Sequence, residues 1–133
     1  MNKFQTSCII DDDDIIVYGA KRIMKEISFS DHILVFNNGQ DALTGLKEVS
    51  AKGEDFPSVI FLDLNMPIMD GWEFLEAFIK FPGFQKENVT IYIISSSVDP
   101  RDLLRAKGYG IVSKYILKPI TIEDLKNVLA NVA

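Results

Sequence analysis

Cysteine occurs once in this chain of 133 residues, at Cys8, so no internal disulfide can form. Histidine also occurs once, at His32. One of each excludes a zinc site of the His/Cys type, which needs several such ligands. No apolar run approaches the roughly 20 residues that span a bilayer. The opening Met1-Asn2-Lys3-Phe4-Gln5 lacks the apolar core of a secretory signal, so the expected address is cytoplasmic. Basic clusters are missing too. Lys and Arg number 14 against 19 Asp and Glu, for a net charge of -5. Phosphate neutralisation needs clustered Lys and Arg, so direct nucleic-acid binding is not expected. The same sign opposes adsorption to an anionic membrane.

What remains is ordinary globular composition, 47% hydrophobic and 25% charged. A chain of this length can bury a core unaided, and no linker, repeat or low-complexity tract divides it. A single domain over residues 1–133 is the expectation. Short apolar runs recur at Cys8-Ile9-Ile10, Ile33–Phe36, Val59–Leu62, Val89–Ile94 and Ile111-Val112 with Tyr115–Leu117. The third and fourth are apolar on both faces, as in strands of a covered parallel sheet. Helical patterns separate them. Ile16, Ala20, Ile23, Met24 and Ile27 share one helical face. So do Leu43, Leu46 and Val49; Phe74, Leu75, Phe78 and Ile79; and Leu125, Val128, Leu129 and Val132. Asp99 with Pro100, and Thr121 with Asp124, mark helix starts, and Gly108 marks a stop. Residues 51–57 and 82–87 read as surface loops. Strand-helix order repeated five times, with right-handed crossovers, predicts a doubly wound α/β fold with helices on both faces.

Such sheets bind ligands beyond the carboxyl ends of their strands, where strand order reverses. The first strand is followed there by Asp11-Asp12-Asp13-Asp14, the second by the turn Asn37-Asn38-Gly39, and the third by Asp63. Ser95-Ser96-Ser97 follow the fourth, and Lys118-Pro119 the fifth. Two carboxylates about 4 Å apart repel by roughly 4 kcal/mol at an effective dielectric near 20. A cation or a proton must offset that. Oxygen-only ligands with open water positions favour Mg²⁺. After Asp63, Leu64-Asn65-Met66-Pro67-Ile68-Met69-Asp70-Gly71 reads as a shaped turn. Pro67 restricts Met66 to extended geometry, and Gly71 supplies a permissive backbone position. Such a loop can aim the Asn65 carbonyl at a metal held by Asp63. Asp13 and Asp14 suit helix capping better than chemistry, because a helix N-terminus favours anions. Cys8 reads as a buried hydrophobe, Tyr92 and Phe61 as core, and His32 as a solvated loop residue. Trp72 reads as packing at the start of the third helix, with no chemistry of its own.

Nearly the whole chain resembles the receiver domain of two-component response regulators. The resemblance rests on Ile9–Asp13, on Phe61–Gly71, on Ile93–Ser96, on Tyr115–Pro119 and on Asn38–Leu43. It implies the chemotaxis-regulator-like, flavodoxin-like (βα)5 fold, with strand order 2-1-3-4-5. It also implies roles. Asp63 is the phosphoacceptor. Asp12 ligates Mg²⁺ directly, Asp11 acts through a metal-bound water, and Asn65 offers its backbone carbonyl. Because Asp13 and Asp14 extend the run, this pair can shift register by one residue. Ser95 and Lys118 bind the phosphoryl oxygens. Tyr115 is the aromatic whose rotamer follows Ser95 in the switch. Asn65 and Ser97 stand at the two positions that tune phosphoryl lifetime.

The donor implied is a sensor histidine kinase or a phosphotransfer protein. The readout is a downstream protein target bound at the surface of the fourth helix, fifth strand and fifth helix. Receivers also dimerise through the fourth and fifth helices, so a homodimer is compatible. The chain ends soon after the fifth helix, which suggests a stand-alone receiver or an excised one. A competing reading is a phosphatase of the haloacid-dehalogenase type, with Asp11 as nucleophile, Asp13 as acid/base, and Ser95 and Lys118 assisting. It leaves Asp63 through Gly71 unexplained and lacks a paired acidic motif after Lys118. A receiver-like module that no longer signals by phosphorylation is a third.

Overall fold

A computed structural model of the chain describes residues 3–131. Five strands alternate with five helices: β1 (Phe4–Ile10), α1 (Asp14–Glu26), β2 (Ser30–Phe36), α2 (Gly39–Ala51), β3 (Val59–Asp63), α3 (Gly71–Lys80), β4 (Thr90–Ser95), α4 (Pro100–Lys107), β5 (Val112–Leu117) and α5 (Ile122–Ala130). A 3-10 turn at Pro82–Phe84 follows α3. All paired strands are parallel, in the order β2-β1-β3-β4-β5. The fold is therefore the expected doubly wound, flavodoxin-like (βα)5 sheet. Strand order reverses between β1 and β3, which opens the crevice at their carboxyl ends. Among the described residues, no helix is long and apolar enough to cross a membrane.

Alternation along the strands builds a core on each face of the sheet. Cys8, Ile10, Ile60, Leu62, Ile91 and Ile93 point to one side, against Leu46 of α2 and Phe74, Leu75 and Phe78 of α3. Ile9, Val59, Phe61, Tyr92 and Ile94 point to the other, against Val17, Ala20 and Met24 of α1 and Leu125 and Val128 of α5. Every residue of β3 is buried, as its unbroken apolar run predicted.

The structure corrects several details of the sequence reading. β2 begins at Ser30, so His32 lies on a strand, with its side chain exposed. Val17 rather than Ile16 fills the buried stripe of α1. Ile79 is 41% exposed, because α3 buries Phe74, Leu75 and Phe78 and rolls its next turn outward. The segment after α3 is not wholly a surface loop. Phe84 is buried there, with its ring centroid 4.6 Å from that of Phe78. Gly108 does end α4, but at φ -75° rather than in the left-handed region. Val132, expected on the apolar face of the last helix, lies outside the described residues.

Helix starts share one plan. Asp13, Asn38, Asp70, Asp99 and Thr121 each cap a helix by accepting a backbone N–H. Asp70 with Glu73, and Thr121 with Asp124, form full capping boxes. Each helix therefore starts cleanly at the rim where the strands end.

Gly71 is needed for close approach, not for an unusual dihedral. A Cβ there would lie 2.5 Å from the Asp63 carbonyl oxygen and 2.8 Å from Leu64 Cα, both backbone atoms. The Gly71 N–H donates to the Leu64 carbonyl at 2.9 Å, which pulls the start of α3 onto the end of β3. Gly71→Ala is therefore expected to destabilise the fold by about 1–3 kcal/mol, as overpacking does. Urea unfolding should show a lowered midpoint; an unchanged midpoint would contradict the close approach.

Candidate functional site

Parallel strands that end at one level bring their next residues together. Asp11 follows β1 and is fully buried, while Asp12 beside it is exposed. Asp63 is the last residue of β3 and is 3% exposed. Lys118 follows β5, and its backbone N–H donates to the Ser95 carbonyl at 2.9 Å. Its Nζ stands 2.9 Å from Asp11 Oδ2 and 3.2 Å from Asp63 Oδ1, with the lysine side chain only 12% exposed. One carboxylate oxygen from each of Asp11, Asp12 and Asp63 lies within 4.8 Å of the others.

This geometry settles which aspartates of the run face Asp63. Asp11 and Asp12 do. Asp11 Oδ1 also accepts the Asp13 N–H at 2.9 Å, closing the turn after β1. Asp13 instead caps α1, its carboxylate accepting from the N–H groups of Ile15 and Ile16. Its side chain is thereby occupied, which weighs against an acid/base role.

Ser95 ends β4 and is buried; its Oγ accepts the Ser97 N–H at 3.0 Å. Ser97 in turn donates from Oγ to Asp102 Oδ2 at 2.8 Å. The hydroxyl of Tyr115, a half-buried residue of β5, donates to the Ser97 carbonyl at 3.0 Å. Asn65 is exposed, and its N–H reaches Asp63 Oδ1 at 3.4 Å. The sequence reading placed Asp102 only in the helix start that Asp99 and Pro100 open. Its spacing looked like an ordinary first-turn helix acid, and only the fold carries it to Ser97.

Backbone hydrogen bonds brace the loop after Asp63. The Met69 N–H donates to the Pro67 carbonyl at 2.7 Å, and the Gly39 N–H to the Met69 carbonyl at 3.1 Å. Ile68, at the tip, has φ 69° and is 80% exposed. A β-branched residue is strained in that region, so the surrounding hydrogen bonds must hold it there.

Three carboxylates face one ammonium here. Burial, with the charge of Asp11 beside it, pushes the Asp63 carboxyl up to about 6, against the pull of Lys118 and of the Asn65 N–H. Burial would lower the Lys118 pKa, but Asp11 and Asp63 hold the ammonium above its ordinary value. The charge is still uncompensated. Asp11 Oδ2 is buried and, though close to Lys118, makes no well-aligned hydrogen bond. A divalent cation fits this donor set: hard oxygens, excess negative charge, and one exposed carboxylate open to water.

The sequence matches the family described as response regulator receiver domain over residues 8–130. A two-component response regulator from Cytophaga hutchinsonii has a similar structure, with TM-score 0.89 and 33% identity, covering 98% of this chain and 97% of that one. The probable methanogenesis regulatory protein FilR2 of Methanothrix harundinacea is 25% identical over 93% of this chain and 78% of its own length. The two-component response regulator ARR12 of Arabidopsis thaliana is 28% identical over 92% of this chain. This chain spans only 19% of ARR12's length. Nothing among these similarities favours the phosphatase reading.

The raised Asp63 pKa sets a pH dependence. Unfolded, the carboxyl releases its proton near 3.8; folded, it keeps it to about 6. Across that window the folded state binds more protons, so this group's contribution to stability falls as pH rises. Asp63→Asn removes the buried charge. It is expected to stabilise the metal-free protein by about 1–2 kcal/mol at pH 7, after discounting for solvent screening. The gain should fade towards pH 4. Urea unfolding at several pH values in EDTA checks this, and a gain independent of pH would refute it.

Proposed function

The chain belongs to the response regulator receiver family, and from that premise we propose that Asp63 is its phosphoacceptor. Receiver domains serve two-component phosphorelays, in which histidine kinases are the phosphoryl source. The observation that carries the residue assignment is the position of Lys118 Nζ, within 3.2 Å of both Asp63 and Asp11. An ammonium there can follow negative charge from the carboxylate to an incoming phosphoryl group.

With a pKa of about 6, Asp63 is mostly ionised near neutral pH and can act as a nucleophile. One of its oxygens bonds to phosphorus while the bond to the donor breaks. The electron pair leaves with the imidazole nitrogen of a phosphohistidine, or with acetate when acetyl phosphate is the donor. Lys118 pairs with a phosphoryl oxygen, and Ser95 donates to another from a hydroxyl whose proton is not otherwise committed. Asp11, Asp12, Asp63 and the Asn65 carbonyl would hold Mg²⁺, which supplies positive charge against the three carboxylates and the phosphoryl oxygens. Asn65 and Ser97 flank the acceptor and tune how long the phosphoryl group lasts. The chain catalyses only its own phosphorylation and dephosphorylation.

The output lies in a shift of conformers. Ser95 moves towards the phosphoryl oxygens, and Tyr115 gives up the Ser97 carbonyl and turns inward. The surface of α4, β5 and α5 carries exposed Leu104 and Leu117, with Val98 in the loop before it. A downstream protein target, or a second copy of the chain, docks there.

Acetyl phosphate with Mg²⁺, followed by borohydride trapping and mass mapping, is expected to label Asp63 once per chain. Asp63→Asn should lose the label while keeping its circular dichroism spectrum. Lys118→Ala should slow labelling about 100-fold, and EDTA should abolish it. Full labelling of the Asp63→Asn chain would overturn the assignment.

A further inference from the structure

Ser97 sits between the acceptor site and α4 and is tied on every side. Its N–H donates to Ser95 Oγ at 3.0 Å, and its Oγ donates to Asp102 Oδ2 at 2.8 Å. That Oγ also accepts the Asp99 N–H at 3.2 Å, and its carbonyl accepts the Tyr115 hydroxyl at 3.0 Å. Asp102 lies in the first turn of α4, with its own N–H on the Asp99 carbonyl at 3.0 Å. Ala106 is the only buried residue of α4. Little apolar burial therefore fixes this helix, and directed hydrogen bonds must do so.

We propose that Asp102 is a positioning residue for phosphoryl acceptance, holding Ser97 and through it Ser95 in the resting arrangement, so that it sets how readily Asp63 is phosphorylated. The proposal rests on the reading of Asp63 as acceptor. Ser95 Oγ cannot move towards a phosphoryl oxygen and keep the Ser97 N–H unless the whole turn moves with it. Asp102 opposes that move, because its carboxylate accepts a charge-assisted hydrogen bond from Ser97. Loosening it favours the arrangement in which Ser95 meets the phosphoryl group, and a ligand binds faster to a protein that more often visits its competent state.

The test uses the full chain with acetyl phosphate and Mg²⁺, following the initial rate of Asp63 labelling. Asp102→Ala is expected to raise that rate about 3- to 10-fold over the parent. Ser97→Ala should do the same, and the double variant should be no faster than either, because both remove one interaction. Asp102→Asn keeps a neutral acceptor for the Ser97 hydroxyl and should return the rate part of the way to parental. An unchanged or slower rate in Asp102→Ala, additive effects in the double variant, or no recovery in Asp102→Asn would each overturn the proposal. Amide hydrogen exchange of Ser97 in the unphosphorylated protein gives a second readout. It should quicken at least about tenfold in Asp102→Ala, and unaltered exchange would also overturn the tether. A parent chain that takes no label refutes Asp63 as acceptor, and the exchange experiment still decides whether Asp102 holds Ser97.

Discussion

One ammonium bridging two buried carboxylates is the contact on which the rest of the site depends. Lys118 Nζ touches Asp11 and Asp63 from the end of β5, two places along the sheet from β3 and three from β1. Removing the ammonium would cost several kcal/mol, because it leaves two buried carboxylates uncompensated. The site exists only because the ends of β1, β3 and β5 stay level, and the sheet register keeps them so. Asp63 pairs with Ile94, and Ser95 with Leu117, so each strand delivers its polar residue just as the apolar core ends.

That placement has energetic consequences in both directions. The core on each face of the sheet pulls the strands into position, and the acidic residues ride along at a cost in repulsion. Asp63 feels this most, since its carboxyl is held up to about 6. The same repulsion suits the site to cations and to cationic side chains. The carboxylates that cost stability through their repulsion are thus the ones that favour a cation beside them. The loop from Leu64 to Gly71 keeps it from relaxing. Its hydrogen bonds to α2 and to itself leave Asp63 little room to swing away from Asp11.

How much of this could be read from the sequence follows from the range of the interactions. β3 and β4 were legible because a fully buried strand is an unbroken apolar run. Asp63 and Lys118 were legible because a strand end in such a sheet is already a site, and the Met66-Pro67 turn marks it. The role of Gly71 was only half legible. A glycine was clearly needed, but the reason is the Asp63 carbonyl 2.5 Å from where a Cβ would stand, and that contact needs coordinates. The burial of Phe84 was missed because a Pro-Gly pair signals a turn whether or not the next side chain turns inward. Which aspartates of the run face Asp63 was open in sequence, since four identical residues have no internal landmark. The first turn of α1 decides it by taking Asp13 as its cap.

The least legible part is the contact between the site and α4, and the reason is instructive. Helices held by apolar stripes announce their anchoring in their periodicity. α4 offers Ala106 and little else to the core. On its far side, Arg105 lies over Trp72 at 4.4 Å, Trp72 stacks on Tyr109, and the Tyr109 hydroxyl donates to Glu76 at 2.7 Å. On its near side, Asp102 takes Ser97. Both attachments are polar or aromatic and directional, and neither has a spacing that sequence reading can recognise. Each such hydrogen bond contributes only about 0.5–1.5 kcal/mol net, because folding exchanges it for one to water. A helix secured by a few of them can be displaced by a change at Ser95 without disturbing either core. The weak burial of α4 and the strong burial of Asp63 therefore belong to one arrangement, in which charge is concentrated at the end of the sheet and the packing is loosest one helix away, as the proposed shift of conformers requires.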